Sequence, residues 1–395
     1  MLKSLLRTAS GTFVSLAFLL GAPALQAAEP FTIGVLELKG DPRYSARATY
    51  ARYLGQPQGR PIAGAVAALK ETRFHGAAAG VEFDVKRMRE RDVAALLETI
   101  EKAHSEGIAF FITDLPAGVL AELAEALKNR DIMLFNASAP ENALRNEQCQ
   151  ANLMHVIPSH AMQTDALSQY LAANKWREVL LLQGPDAPDL ALGESFTRSA
   201  KRYGLKLTDT RDFIYGNDPR QREQNNIKLL TKGDYDVVMV ADTDGEFARE
   251  VPYQTLLPRL TMGTEGLSAL AWHWAWERHG APQLEKRFED DAKRPMGSRD
   301  WAAWASVKII AESVQRTKSA DFGTLKSYIH SDELVVDTFK GNPSGFRPWN
   351  NQLRQTVLLG THNWVVERAP LRGFLHKDNT LDSLGFDEKD SSCRF

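Results

Sequence analysis

Along the chain, short continuous apolar runs alternate with longer segments in which apolar residues recur every three or four positions. Continuous runs predict strands buried on both faces, as in a parallel sheet. The periodic segments predict helices laid over that sheet. The first series places strands at 31–38, 81–85, 108–113 and 132–135, with helices between them at 61–74, 92–105 and 116–128. Pro61 suits a first helical turn, and Val93, Leu96, Leu97 and Ile100 line one helical face. The series then restarts, with helices at 158–173, 190–203 and 218–230 and strands at 179–183, 205–213, 237–241 and 259–262. Later the rhythm breaks. Helices are predicted at 267–278, 300–317 and 321–329, and 354–359 with 363–367 alternate like a hairpin. The expected fold is α/β: two doubly wound Rossmann-like lobes joined by a hinge that the chain crosses several times. Lobe 1 is expected at 29–150 plus about 264–320, and lobe 2 at 151–263 plus about 321–395.

The first residues stand outside this pattern. Lys3 and Arg7 precede an apolar stretch at 11–21 and an alanine-rich run at 22–28, so residues 1–28 read as a cleavable export signal. The apolar stretch is short for a membrane-spanning helix. The expected location is therefore periplasmic. Overall charge changes the picture little: 48 basic residues against 50 acidic ones give −2, with no basic excess suited to a nucleic-acid backbone. Cys149 and Cys393 are the two cysteines, which excludes a multi-cysteine metal site. In an oxidising compartment they could bridge or stay as two thiols, and sequence leaves both readings open.

Searching for chemistry yields mainly exclusions. There is no glycine-rich dinucleotide fingerprint after the first strand, where Lys39-Gly40-Asp41-Pro42 stands, and no phosphate loop. No GxSxG or HExxH occurs, and the nine histidines are scattered. No cofactor, metal or catalytic set is expected, so the chain reads as a non-enzyme. In open α/β sheets, ligands bind at the C-terminal edges of the strands. That places Glu37, Lys39, Arg87, Asp114, Leu115, Asn136, Ala137 and Ser138 on one edge. Gly184, Asp186, Tyr215, Asn217, Asp242 and Thr243 fall on the other, and Thr264 and Glu265 lie near a crossing. Asp242 has two readings, a cap for the next helix or a ligand contact.

Several strings give these edges a context. Ile132-Met133-Leu134-Phe135-Asn136-Ala137-Ser138-Ala139-Pro140, His155-Val156-Ile157-Pro158-Ser159, Arg299-Asp300-Trp301-Ala302-Ala303-Trp304-Ala305 and Phe339-Lys340-Gly341 occur in that order. Gly345-Phe346 and Gln352-Leu353-Arg354 follow. Together they resemble the type I periplasmic solute-binding proteins of the Leu/Ile/Val-binding kind, over nearly the whole chain after the signal. Residues 271–278 (AWHWAWER) and 347–350 (RPWN) look like the subgroup linked to pyrroloquinoline-quinone-dependent alcohol oxidation.

The resemblance implies a protein that closes on a small solute and hands it to an inner-membrane ABC permease. The alternative is a ligand-sensing or accessory subunit docking to a sensor or dehydrogenase. At the turn after the 132–135 strand, Ala137 and Ser138 would hold a polar ligand group. Two departures argue against an α-amino acid. Thr113-Asp114-Leu115-Pro116 has no serine where the family often offers one, and Gly184-Pro185-Asp186-Ala187-Pro188 replaces a Tyr-Gly. The expected ligand-binding residues are Asp114, Leu115, Asn136, Ala137, Ser138, Asp186, Tyr215, Asp242, Thr264 and Glu265. The acids Asp114, Asp186 and Asp242 suggest a hydroxyl-rich, cationic or metal-complexed ligand.

Tryptophan is skewed along the chain: apart from Trp176, every one lies at or beyond Trp272. Helical register puts Trp301 and Trp304 on a buried face. Trp272, Trp274 and Trp276 cannot share one helix face, so at least one should reach a surface or a cleft mouth.

Overall fold

The computed structural model describes residues 28–45, 59–215 and 219–395. Residues 1–27 of the expected signal and Asn217 lie outside the described residues. The first lobe alternates β1 (Glu29–Leu38), α1 (Ile62–Thr72), β2 (Val81–Glu90), α2 (Val93–Ser105), β3 (Phe110–Asp114), α3 (Ala117–Ala126), β4 (Met133–Asn136) and β5 (Leu153–His155). Its strands pair in parallel in the order β2-β1-β3-β4-β5. Asp92 starts α2 by accepting a hydrogen bond from the Ala95 amide, satisfying a donor that the helix cannot.

The second lobe runs through α4 (His160–Ala173), β6 (Glu178–Gln183), α5 (Ala187–Arg202), β7 (Lys206–Asp212), α6 (Ile227–Leu230), β8 (Val237–Ala241), α7 (Val251–Gln254) and β9 (Leu260–Gly263). Its sheet is parallel in the order β7-β6-β8-β9. The remaining chain forms β10 (Ser268–Leu270), α8 (Ala281–Ala292), α9 (Ser298–Thr317), α10 (Phe322–Ile329), β11 (Val357–Gly360) and β12 (Val365–Ala369). β10, β11 and β12 make an antiparallel ribbon.

The chain passes between the lobes at 156–159, 270–271 and 353–357, where neighbouring residues fall into different hydrophobic cores. One buried side chain clasps the three passages. Lys340 Nζ donates to Ala271 O (3.0 Å) and Gln355 Oε1 (2.7 Å), and Gln355 Nε2 donates to Val156 O (2.6 Å). Its ammonium lies 3.6 Å from the centre of the Trp301 ring, and burial pushes its pKa well below the usual lysine range.

α9 anchors the first lobe. Trp301 and Trp304 are fully buried, as expected, each contributing about 3 kcal/mol of burial. α1 packs so closely on α9 that a Cβ at Gly64 would meet Asp300 O at 1.9 Å. Cys149 and Cys393 are disulfide-bonded, which fastens the C-terminal tail to the loop before β5.

Several expectations give way to the structure. Residues 267–278 are not helical: the segment crosses between lobes, and extended chain spans more distance per residue than helix. Its tryptophans are held separately, Trp272 donating to Glu285 and Trp276 to the Phe339 carbonyl, while Trp274 is half-buried on the cleft. α8 was not anticipated, because only Ala281, Leu284 and Phe288 form its buried stripe. The second-lobe segment 219–230 is a 3-10 helix followed by the short α6 rather than one helix. Finally, Leu325, Ile329, Leu334, Val336, Phe346 and Leu353 lie in the first-lobe core, although the sequence reading puts residues from about 321 in the second lobe.

Candidate ligand-binding cleft

A cavity of about 470 Å³ opens between the lobes beside the crossings. The first lobe lines it with Arg43, Tyr44, Met296 and Arg299, and the second with Leu192, Met239, Asp242, Thr264 and Glu265. Leu270, Trp272 and Trp274 close its hinge end. The size and the mixture of apolar walls with a few polar groups suit a small organic molecule.

On the first-lobe wall, the turn after β1 brings Asp41, Arg43 and Tyr44 to the C-terminal edge of the sheet. Asp41 caps that turn through the Arg43 amide. Asp114 ends β3 with no exposure and accepts from Arg43 (3.2 Å), Arg60 (3.1 Å) and the Tyr44 hydroxyl (3.1 Å). Arg43 also pairs with Asp41 (2.7 Å) and donates to Ser138 Oγ (3.0 Å). Arg60 stacks 3.8 Å above the Tyr44 ring. Burial alone would raise the pKa of Asp41, but hydrogen bonds and charge from Arg43, helped by Arg60, outweigh it and hold it below the usual carboxylate range. Burial, with the Asp114 charge added and Arg299 opposing, pushes the Tyr44 hydroxyl up to about 12, so it stays protonated at neutral pH.

The second-lobe wall is built differently. Asp242 follows β8 and accepts from the Tyr215 hydroxyl (2.8 Å), Gly245 N (3.0 Å) and Ala248 N (2.7 Å). The Tyr215 hydroxyl also reaches Asp189 (2.8 Å), which accepts from both the amide and the hydroxyl of Thr243 at 2.6 Å. Among the described residues, no lysine or arginine forms an ion pair with Asp242 or Asp189. Burial therefore raises the pKa of Asp242 above the usual range, although its hydrogen bonds oppose the shift. Thr264 Oγ1 accepts from Asp242 N and donates to Val240 O, tying the ends of β8 and β9.

The ten expected residues thus separate into groups. Asp242, Thr264 and Glu265 line the cavity. Asp114 and Ser138 stand behind it and position Arg43, and Tyr215 positions Asp242. Leu115 and Ala137 are core residues. Asn136 is fully buried and folds its own turn, accepting from Ser138 N and Ala139 N and donating to Ala139 O. Asp186 is exposed at the start of α5, outside the cavity lining. The acids that suggested a cationic ligand are thus engaged within the protein, or elsewhere. Among the described residues, no group of three or more His, Cys, Asp or Glu is arranged to hold a metal.

Sequence reasoning missed Arg43, Tyr44, Arg60 and Arg299. Arg43 and Tyr44 follow directly on the Lys39-Gly40-Asp41-Pro42 turn, so continuing the strand-edge argument from Lys39 to Tyr44 would have found them. Arg60 precedes α1 and Arg299 lies in the first turn of α9, and neither follows a strand, so that argument could not reach them.

Parallel sheets flanked by helices, two lobes and a crossed hinge are the architecture of type I periplasmic binding proteins. Residues 55–219 match the sequence model of a family described as periplasmic binding protein. Solved structures share the fold at low identity. An ABC transporter substrate-binding protein from Sphaerobacter thermophilus superposes with a TM-score of 0.68 at 15% identity, covering 87% of this chain and 98% of that one. An amino acid ABC transporter substrate-binding protein from Pseudomonas fluorescens Pf-5 gives 0.68 at 13% identity, covering 93% and 100%. A solute-binding protein from R. palustris, in complex with benzoate, gives 0.66 at 12% identity, covering 93% and 100%. No curated protein matches the chain by sequence.

Proposed function

We propose that this chain is a periplasmic solute-binding protein that captures a small molecule between its lobes and delivers it to an ABC permease. The observation that carries the reading is the interlobe cavity, whose polar groups come from both lobes at the point where the chain crosses between them. A hinge motion there would bring both walls onto one solute. The family match over 55–219 and the shared fold of solute-binding proteins agree with this reading, as does the export-type start of the chain. Among the described residues no helix is long and apolar enough to cross a membrane. A link to quinone-dependent alcohol oxidation rests on the strings 271–278 and 347–350 alone.

The test is equilibrium dialysis of the purified protein against a small-molecule extract of bacterial cells, followed by mass spectrometry of what the protein retains. One solute retained at unit stoichiometry, with uptake of that solute dependent on a permease, is the expected result. No retained solute, or a stable soluble complex with a sensor or dehydrogenase and no transport, would overturn it.

A further inference from the structure

The first-lobe wall carries one cation too many. Glu37, Asp41 and Asp114 are all buried, and their ion-pair partners are Arg43, Arg60 and Arg87. Among the described residues, three carboxylates therefore meet three guanidiniums, and Arg299 stands as a further cation. Arg299 lines the cavity, half-buried, and the hydrogen bond it makes there is to a neutral group: Nη1 donates to the Tyr44 hydroxyl at 3.3 Å. Among the described residues no carboxylate lies within ion-pair distance of it. Its chain neighbour Asp300 is held by Arg294 through contacts of 2.7 Å to both oxygens. Residues 46–58 contain no Asp or Glu that could serve instead.

The turn that the family resemblance assigns to the ligand is meanwhile filled from within. The Ser138 hydroxyl accepts from Arg43, and Asp114 already takes three donors. Asp242 likewise takes three donors, from Tyr215 and two amides. These two acids offer little to an ammonium group, while Arg299 offers a guanidinium to an anion. A lone cation enclosed by a closing cleft loses hydration and needs a counter-charge. Arginine provides paired donors for one.

We propose that the cleft selects an organic anion, its charged group paired with Arg299 and steadied by the Tyr44 hydroxyl, with an apolar body against Leu270, Met239 and Trp274. Recognition thereby moves from the Ala137-Ser138 turn to the start of α9, and an α-ammonium group on the ligand is not required. This inference rests on the solute-binding reading above.

The experiment repeats the dialysis against cell extract with wild type, Arg299→Gln and Arg299→Lys, each checked for an unchanged melting temperature and far-ultraviolet dichroism. Wild type is expected to retain carboxylates or other organic anions. Arg299→Gln should lose that retention at least about tenfold, as expected for a lost charge-assisted pair, and Arg299→Lys should recover part of it. Retention of neutral or cationic compounds, or equal retention by Arg299→Gln, overturns the role of Arg299 and leaves the solute-binding reading standing. Retention of nothing by wild type overturns both. If Arg299→Gln does not fold, the chemical class retained by wild type and the affinity of Arg299→Lys for the same compound decide the question.

Discussion

On the first-lobe wall of the cleft, Asp114 takes its hydrogen bonds from Arg43, Arg60 and Tyr44. On the second-lobe wall, Asp242 takes them from Tyr215 and the amides of Gly245 and Ala248. Both acids are buried, yet one is neutralised by long cationic side chains from the segments around residues 43 and 60, and the other is solvated by backbone and a neutral hydroxyl. The second arrangement takes its two amide donors from the turn that directly follows β8 and its hydroxyl from the segment after β7. The first depends on side chains converging from separate segments, and it leaves a cation facing the cleft. The contrast is between a wall built on ion pairs and a wall built on neutral donors.

The largest expected effect breaks the ion-paired wall. Asp114→Asn leaves Arg43 and Arg60, with side-chain exposures of 22% and 11%, short of their shared carboxylate. Removing one partner of such a buried pair should cost about 3 kcal/mol or more, read from urea denaturation. A loss under about 1 kcal/mol would mean that solvent screens these pairs and that the wall is no more rigid than a surface cluster.

Tyr215→Phe tests the other wall. It removes the one side-chain donor shared by Asp189 and Asp242 but leaves their backbone donors, so the expected loss is smaller, about 1–3 kcal/mol. Ligand charge preference should be unchanged, because the hydroxyl is neutral. Smaller still is Arg87→Gln. The Arg87 side chain is 44% exposed, and Glu37 keeps Arg60 at 3.9 Å, so a change below about 1 kcal/mol is expected. A larger change would place Arg87 inside the cation network rather than at its rim.

The two walls were also unequally legible in the sequence. Asp242 was found because it directly follows the apolar run at 237–241, and a strand end is a position that hydrophobic pattern marks. The two parallel arrays followed from the same pattern. Arg60 and Arg299 sit at the starts of helices rather than at strand ends, so nothing in the local pattern separates them from other surface arginines. Their role comes from long-range convergence, and no periodicity records which acid each arginine meets. The misassigned 267–278 segment fails for a related reason: Trp272 and Trp276 are anchored to different distant partners, Glu285 and the Phe339 carbonyl.

The finest discrimination is by pH, where the two walls should respond with opposite sign. Asp41, on the ion-paired wall, has a folded pKa below its unfolded value near about 3.9. The folded state therefore binds fewer protons there than the unfolded state as pH falls through that range, and the stability Asp41 contributes is present above it and lost below it. Asp242 is shifted the other way. Its folded form takes up a proton at a pH where the unfolded chain is still ionised, so its contribution favours the fold increasingly as pH drops from its raised pKa towards the unfolded value. Scanning calorimetry between about pH 3 and 6 resolves the two. Asp41→Asn should flatten the acid limb below the ordinary carboxylate range, and Asp242→Asn should flatten the profile just above it. If both variants altered the same limb in the same direction, the difference between an ion-paired wall and a backbone-solvated wall would not survive.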